Sequence, residues 1–388
     1  MPPKKAPAAE PKALLGRPSN NLKMGIVGLA NIGKSSTFNV ISKTDLGKTA
    51  NYPYATVDPE EARVPLPDER FEWLCDLYKP ASRIPAHLTI IDIAGLTRGS
   101  HTGEGMGNSF LSHIRAVDGI YQLVRAFDDA DVTHVEGDVD PVRDMEIISN
   151  ELRLKDTEWV EKHLDGLKKT FRGTGTASLA DKAKKEEITS VEKVLDVLKS
   201  NKDVRKADWS AKEIDVVNGL QLLTAKPVVY LVNLSEKDYI RKKNKWLPKI
   251  KQWIDSNNPG DPLIPYSVVF EETLVDLSKD DQKKKCEELG APAALGKITT
   301  AGYQALHLIR YFTCGPDEVR AWTIRENTKA PQAAGVIHTD FENKFISADI
   351  MAYNDLRELG SEAAVKAEKR TKSKMVTSVT GSTTSLGQ

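Results

Sequence analysis

Gly28-Leu29-Ala30-Asn31-Ile32-Gly33-Lys34-Ser35 is the stretch on which the fold turns. Its spacing, G-x-x-x-x-G-K-S, is that of a phosphate-binding loop. The glycines let successive backbone N–H groups wrap phosphate oxygens. Lys34 is placed to bridge the β and γ phosphates, and Ser35 to set its hydroxyl on Mg²⁺. The flanks suit this reading. Residues 22–27 are apolar and read as a short buried strand, and a helix is expected from near Lys34, its positive end aimed at the anion.

Further strands follow downstream. H-L-T-I-I-D-I-A-G (87–95), G-I-Y-Q-L-V-R-A-F (119–127), P-V-V-Y-L-V-N (227–233) and the weaker P-L-I-P-Y-S (262–267) are apolar runs with helical patterns between them. That alternation predicts a wound, mostly parallel α/β sheet. Residues 51–70, rich in Pro, Asp and Glu, read as an extended loop. Asp92-Ile93-Ala94-Gly95 closes the second strand as D-x-x-G does in the GTPase class of phosphate-loop proteins. Asp92 is then expected to hold Mg²⁺ through water, and the Gly95 N–H to meet the γ phosphate. Thr56 can complete the Mg²⁺ shell, although Thr49 lies close enough to compete. Leu96 stands where many GTPases have the Gln that orients the attacking water, so another group must do so or hydrolysis is slow. The glycine-rich run 97–108 is expected to respond to nucleotide.

GTPases read guanine with N-K-x-D, which this chain lacks. After the fourth strand stands Asn233-Leu234-Ser235-Glu236. A carboxylate opposite adenine N1, an acceptor, is disfavoured, whereas the Leu234 backbone can pair with the adenine edge. Ser235 to Asp238 is equally a helix start, and the two readings are compatible.

Residues 141–170 and 181–204 are charged and carry no strand pattern. Ile188, Val191, Leu195 and Leu198 follow seam spacing, with a looser stripe of Ile148, Leu152 and Trp159. The expectation is a helical hairpin turning at 171–178, inserted into the α/β domain; two ordinary surface helices are the alternative. From about residue 305, R-A-W-T-I, G-V-I-H-T-D and F-I-S-A-D-I predict a small α+β domain. The expected divisions are a disordered tail (1–20), a discontinuous nucleotide domain (21–140 and 205–304), the insertion (141–204), a C-terminal domain (305–370) and an atypical tail (371–388).

Composition narrows the function. Lys plus Arg and Asp plus Glu both number 55, so the net charge is zero and a histone-like binder is excluded, while local basic patches remain open. One such patch is R-K-K-N-K-W-L-P-K-I-K (241–251), a candidate rRNA contact. Cys75, Cys286 and Cys314 are far apart and form no zinc pattern, which fits a reducing compartment. No apolar run approaches the ~18–20 residues of a membrane span, and the start of the chain lacks the apolar core of a signal peptide. A cytoplasmic protein with no membrane partner is expected.

The phosphate loop, I-D-I-A-G-L, the glycine-rich run and N-L-S-E-K-D-Y, with R-A-F-D-D-A-D-V-T-H-V-E-G (125–137), G-P-D-E-V-R-A-W-T-I (315–324) and A-P-Q-A-A-G-V-I-H-T-D-F (330–341), together resemble the Obg-like ATPase (YchF) family over residues 22–370. The resemblance implies a GTPase-derived fold that prefers ATP, a coiled-coil insertion, a C-terminal TGS domain of β-grasp type, and association with the ribosome, its large subunit above all. It places nucleotide contacts on Asn31, Ile32, Gly33, Lys34, Ser35 and Ser36, Mg²⁺ ligands on Ser35 and Thr56, and the main-chain base contact on Leu234, with Asn233, Glu236 and Ser267 around the base. His134 becomes a candidate catalytic residue beside Lys34 and Gly95. Asn31 also stands where some phosphate-loop switches bind K⁺. A monomer is expected.

The likeness breaks in places. Ala30 replaces a usual Pro, and Val268-Val269 follow Ser267 where a small residue is usual. Residues 371–388 lack the aspartate-glycine turn and the aromatics of the family's final hairpin. A β-grasp deprived of those strands would expose a sheet edge, so an incomplete last domain is expected, from a shifted reading frame, alternative splicing or a variant tail. The leading function is a Mg²⁺-dependent ATPase switch on the ribosome. A GTPase with an altered base motif and a nucleotide-gated RNA- or ribosome-binding module are the alternatives.

Overall fold

The computed structural model describes residues 13–44, 61–93, 113–129, 131–171, 179–374 and 384–386. Thr49, Thr56, Gly95, Leu96, the run 97–108 and most of the expected hairpin turn lie outside them. Two compact units are present. One comprises 153–226 with the stretch ending at Arg17, and the other comprises 18–152 with 227–388.

In the larger unit, β1 (Lys23–Val27), β2 (Glu61–Pro65), β4 (His87–Asp92), β5 (Gly119–Arg125), β6 (Val228–Asn233) and β7 (Leu263–Tyr266) form one sheet in the order β2-β4-β1-β5-β6-β7. All neighbours are parallel except β2, which pairs antiparallel with β4. Every residue of β5 and β6 is buried, as expected for central strands covered on both faces. In β2 only Ala62 and Val64 turn inward, with Glu61, Arg63 and Pro65 between them. The extended loop expected over 51–70 therefore ends in an edge strand at 61. Two apolar residues are too few to announce it, and Pro65 is tolerated because an edge position wastes no ladder bond.

A second six-stranded sheet has the order β11-β10-β12-β8-β9-β3. It contains β8 (Leu308–Cys314), β9 (Glu318–Arg325), β10 (Ala348–Ala352), β11 (Lys372–Lys374) and β12 (Thr384–Leu386), and it recruits β3 (Ser82–Ile84) from far upstream. The helix Glu69–Tyr78 leads into β3 and packs Phe71, Leu74 and Cys75 against Phe312, Val319 and Met351. Asp68 caps that helix and accepts from both Arg70 and Arg310, pinning it to β8. The end of the chain departs from the exposed edge that its composition predicts. β12 fills the slot between β10 and β8, antiparallel to one and parallel to the other.

The smaller unit is helical. The long helix Pro141–Thr170 enters it from residue 153, followed by helices Leu179–Lys199 and Ala211–Leu220. Val160 and Leu164 pack against Val191, Val194 and Leu198, with Ile188 and Leu195 at the margin. Trp159, expected on the seam, is instead 40% exposed, because the stripe passes through its neighbour Val160. Val217, Leu220 and Leu222 join the same cluster, which extends the unit to 226, beyond the boundary expected at 204. Asp156 is buried and accepts from the Leu223 and Thr224 amides (3.0 and 2.7 Å) and the Thr224 hydroxyl (2.7 Å), fixing the turn after the third helix.

Candidate nucleotide site

β1 delivers the chain to the phosphate loop, and the helix Lys34–Lys43 carries it away. Gly33 caps that helix at φ 94°, a left-handed conformation, and a Cβ there would meet Asn233 Nδ2 at 2.7 Å, so only glycine fits. Asn31 is also left-handed, at φ 60°. The first helical turn has no acidic residue, so its positive end is left for an anion. Ser35 is exposed on this turn and Ser36 is half-buried.

Lys34 is only 8% exposed, and its Nζ donates to the Leu29 carbonyl at 2.6 Å. Burial pulls its pKa down to about 8, against the opposing pull of Asp92. It is a cation held inside the loop and short of counter-charge, the condition a bound phosphate relieves.

The loop rests on side chains from the far end of the sheet. Asn233 is completely buried at the end of β6; its Nδ2 donates to the Ile32 carbonyl (3.2 Å) and its Oδ1 accepts from the Val268 N–H (3.1 Å). Thr37 donates to the Gly33 carbonyl (2.7 Å) and meets the Tyr266 hydroxyl at 2.6 Å. Asn233 was expected near the base, and its observed contacts are with the phosphate loop and the following helix. Thr37 and Tyr266 carried no sequence signal beyond being next to expected residues.

Arg125 is the larger omission. At the end of β5 and 1% exposed, it donates to the carbonyls of Asn31 (3.2 Å), Phe127 (3.2 Å) and Val132 (2.9 Å), and stacks on the Phe127 ring at 4.6 Å. Asn31 Nδ2 in turn donates to the Thr133 carbonyl at 3.2 Å. The loop and the segment 126–134 are thus tied through Arg125 and Asn31. Because these bonds run to carbonyls, which every residue has, no motif betrays them.

His134 is next along that segment. Its Nδ1 accepts from the Glu136 N–H (3.1 Å), so Nε2 carries the hydrogen and donates to Asp144 Oδ2 (2.9 Å) in the first turn of the long helix. Burial pushes the Asp144 carboxyl pKa up, although His134 and Arg143 pull it down. With both ring nitrogens engaged and the side chain 2% exposed, His134 as placed here lacks the lone pair a general base needs.

Of the expected metal donors, Ser35 and Asp92 lie within the described residues. Asp92 ends β4 in register with Ile26 of β1, and its charge is felt by Lys34. A hydroxyl and a carboxylate are hard oxygen donors, a set whose chemistry fits Mg²⁺. Among the described residues no group of three His, Cys, Asp or Glu could hold a metal unaided.

On the base side, Leu234 is 3% exposed and its N–H donates to the Tyr266 carbonyl at 2.8 Å. Of the Leu234 backbone expected to pair with the adenine edge, the N–H is therefore already used by β7 and the carbonyl is the group left. Ser235 caps the helix Glu236–Arg241, accepting from the Asp238 N–H at 3.2 Å. Glu236 is the first, half-buried residue of that helix. Ser267 is wholly buried and caps the helix Val268–Val275.

A mostly parallel sheet, a glycine-capped loop over a helix N-terminus and a buried loop lysine define a nucleotide-binding domain of the phosphate-loop GTPase lineage. The chain belongs to the Obg-like ATPase (YchF) family. It is 60% identical over 369 residues to Obg-like ATPase 1 of Schizosaccharomyces pombe, spanning 95% of this chain and 93% of that one. It is 57% identical to Obg-like ATPase 1 of Saccharomyces cerevisiae with the same coverage. The solved structure titled "Structure of the Schizosaccharomyces pombe YchF GTPase" superposes with a TM-score of 0.89 at 57% identity, over 97% of this chain and all of that one. Residues 23–160 match the family profile described as "50S ribosome-binding GTPase", and 308–379 match YchF-GTPase_C, described as "Protein of unknown function (DUF933)". No described helix is long and apolar enough to cross a membrane.

Proposed function

We propose that the protein binds ATP with Mg²⁺, hydrolyses it slowly, and acts in the cytoplasm as a nucleotide-state switch on the large ribosomal subunit. The observation that carries the ATP assignment is the base loop. Where a guanine reader has its lysine and aspartate, the chain sets Leu234, buried with its N–H spent on Tyr266, and Glu236, half-buried at the start of a helix. The backbone group left for the base is the Leu234 carbonyl. A carbonyl accepts from the adenine N6 amino group and is repelled by guanine O6. Ser267 shapes this loop from beneath, through its cap, and Glu236 flanks it.

The roles of the other residues follow from the motifs and the family likeness. Backbone amides of Asn31 to Ser36 cradle the phosphates, and Lys34 turns from the Leu29 carbonyl to the β and γ oxygens. Ser35, Thr56 and, through water, Asp92 would hold Mg²⁺, whose charge would offset that of the transferred phosphoryl group. The Gly95 N–H meets the γ phosphate. The Asn31 side-chain oxygen is available to K⁺, spreading positive charge where other enzymes insert an arginine. His134 anchors the segment after β5 to the long helix and takes no part in proton transfer in this reading. The relatives' printed name, Obg-like ATPase 1, and the ribosome-binding description of the N-terminal profile support the two halves of the proposal. The test is single-turnover ATP hydrolysis with and without ribosomes, paired with co-sedimentation in the ATP and ADP states. Ribosome binding that depends on the nucleotide supports the switch. Hydrolysis without any ribosome association leaves only the ATPase.

A further inference from the structure

The basic stretch 241–251 is built as a docking surface. It holds six cations: Arg241, Lys242, Lys243, Lys245, Lys249 and Lys251. Lys251 pairs with Asp255 (2.5 Å), and Lys245 pairs with Asp128 (3.3 Å) between largely exposed partners. Among the described residues, no ion pair is made by Arg241, Lys242, Lys243 or Lys249, and all four are exposed.

The placement of Lys249 does not serve the helix that carries it. Lys249 lies in the first turn of the helix Leu247–Asn257, which has no acidic residue there, so its charge opposes the helix dipole. Arg241, in contrast, sits in the last turn of the helix Glu236–Arg241, where the dipole favours a cation. Trp246 sits between Lys245 and Lys249, whose Nζ atoms lie 5.4 and 5.0 Å from its ring centroid. Cations interleaved with an aromatic form the pattern of a phosphate-backbone contact with a stacking platform.

The turn is also held rigid. Asn244 Oδ1 accepts from the Trp246 N–H (2.8 Å), while its Nδ2 donates to Asp238 Oδ2 (2.7 Å) and to the Ala126 carbonyl (2.9 Å). Lys242 takes the left-handed conformation, at φ 54°, that turns the chain. Asp238, the nearest acid on the preceding helix, is thereby occupied by Asn244. Ala126 adjoins Arg125, which holds the Asn31 carbonyl, so the surface is fastened to the same strand end that supports the phosphate loop.

We infer that Arg241, Lys242, Lys243 and Lys249, with Trp246 beside Lys249, dock the phosphate backbone of structured RNA, and that Asn244 positions the turn that carries them. The inference rests on the ribosome reading and names the surface by which this domain meets rRNA. RNA is favoured over an anionic membrane because no large apolar side chain of this stretch is exposed for insertion, and over an acidic peptide because Lys245 and Lys249 flank an aromatic ring.

The test is fluorescence anisotropy with a labelled RNA hairpin, titrated across salt, using the full chain. Each lost phosphate contact lowers the slope of log K against log salt by about 0.7–0.9. Replacing Lys242, Lys243 and Lys249 by Gln together should lower it by about 2 to 3 and weaken binding on the order of 100-fold near ~0.1 M salt, with ATP affinity unchanged. A control with Lys169, Lys182 and Lys185 changed to Gln has the same net charge and should leave the slope intact. The single Lys243→Glu variant gives the same direction of change should the triple variant be unstable. An unchanged slope in the triple variant, or an equal fall in the control, overturns the inference. So does phosphatidylserine-vesicle binding that outlasts RNA binding as salt rises and is lost in the triple variant. Absence of RNA binding with normal ATP binding removes this surface and leaves the ATPase reading standing.

Discussion

Replacing Lys34 with Met should make the nucleotide-free protein more stable while destroying its affinity for nucleotide. Lys34 is buried, and its pKa falls from 10.5 to about 8. A lowered lysine pKa means stability that is complete above 10.5 and lost as pH falls through 8. At pH 7 the nucleotide-free protein thus bears the full penalty, about 3 kcal/mol at about 1.4 kcal/mol per pH unit. Methionine fills much the same volume without a charge, and exchanging a buried ion for an apolar side chain is often neutral or stabilising. Thermal unfolding in EDTA should show the variant's midpoint raised by about 6–12 °C, at about 2–4 °C per kcal/mol for a domain of this size. The gain should vanish by a pH of about 10, where wild-type Lys34 is itself neutral. ATP affinity should fall on the order of 100-fold, because a buried charge-assisted contact of about 2–5 kcal/mol is lost. A variant less stable at pH 7 would show that Lys34 serves the fold, and one equally stabilised at high pH would show that its buried charge carries no penalty. Unchanged ATP affinity would refute the assignment of the loop itself.

Arg125→Leu strands three carbonyls at about 1–3 kcal/mol each; chemical denaturation should show a loss of several kcal/mol and ATP titration a weakened phosphate loop, and no change in either would mean that the bonds to Asn31, Phe127 and Val132 are idle. Burial raises the Glu271 pKa to about 7, against the pull of the Ala294 and Leu295 amides. Its stabilising share is therefore complete below 4.5 and is lost as pH rises through 7. Glu271→Gln, whose amide oxygen can still accept from the Ala294 N–H, should gain about 3 kcal/mol over wild type between acid and neutral pH; parallel stability curves would contradict this. K⁺ should speed ATP hydrolysis and Na⁺ should not, with Asn31→Ala erasing the difference, whereas equal rates at matched ionic strength would remove the ion from the mechanism.

The phosphate loop was legible because its chemistry needs particular residues at fixed spacing, and the five main strands because each is an apolar run with a stop. What escaped the sequence is mostly bonding to backbone. Arg125 reads as the polar end of a strand, and only the fold shows that Asn31, Phe127 and Val132 turn their carbonyls to it. The Leu234 N–H looked available until β7 was seen to claim it through Tyr266. His134 was proposed from resemblance, and its bonds to Asp144 and the Glu136 amide point to anchoring. β3 joins the second sheet from more than two hundred residues upstream of β9, and no local pattern encodes so distant a pairing. The unpromising tail still supplies β12, because strand pairing uses backbone groups that any composition provides.

The central claim is that a phosphate-loop site of GTPase descent here reads adenine. Equilibrium titration of the nucleotide-free protein with ATP and with GTP, in Mg²⁺, tests it directly. The Leu234 carbonyl should favour the adenine amino group, while guanine N1 and N2 donors lack their carboxylate and cost about 1–3 kcal/mol each if left unpaired in the site. ATP should therefore bind more tightly, by about tenfold or somewhat more. GTP binding as tightly as ATP would contradict the account, leaving the fold and the phosphate loop but not the ATPase.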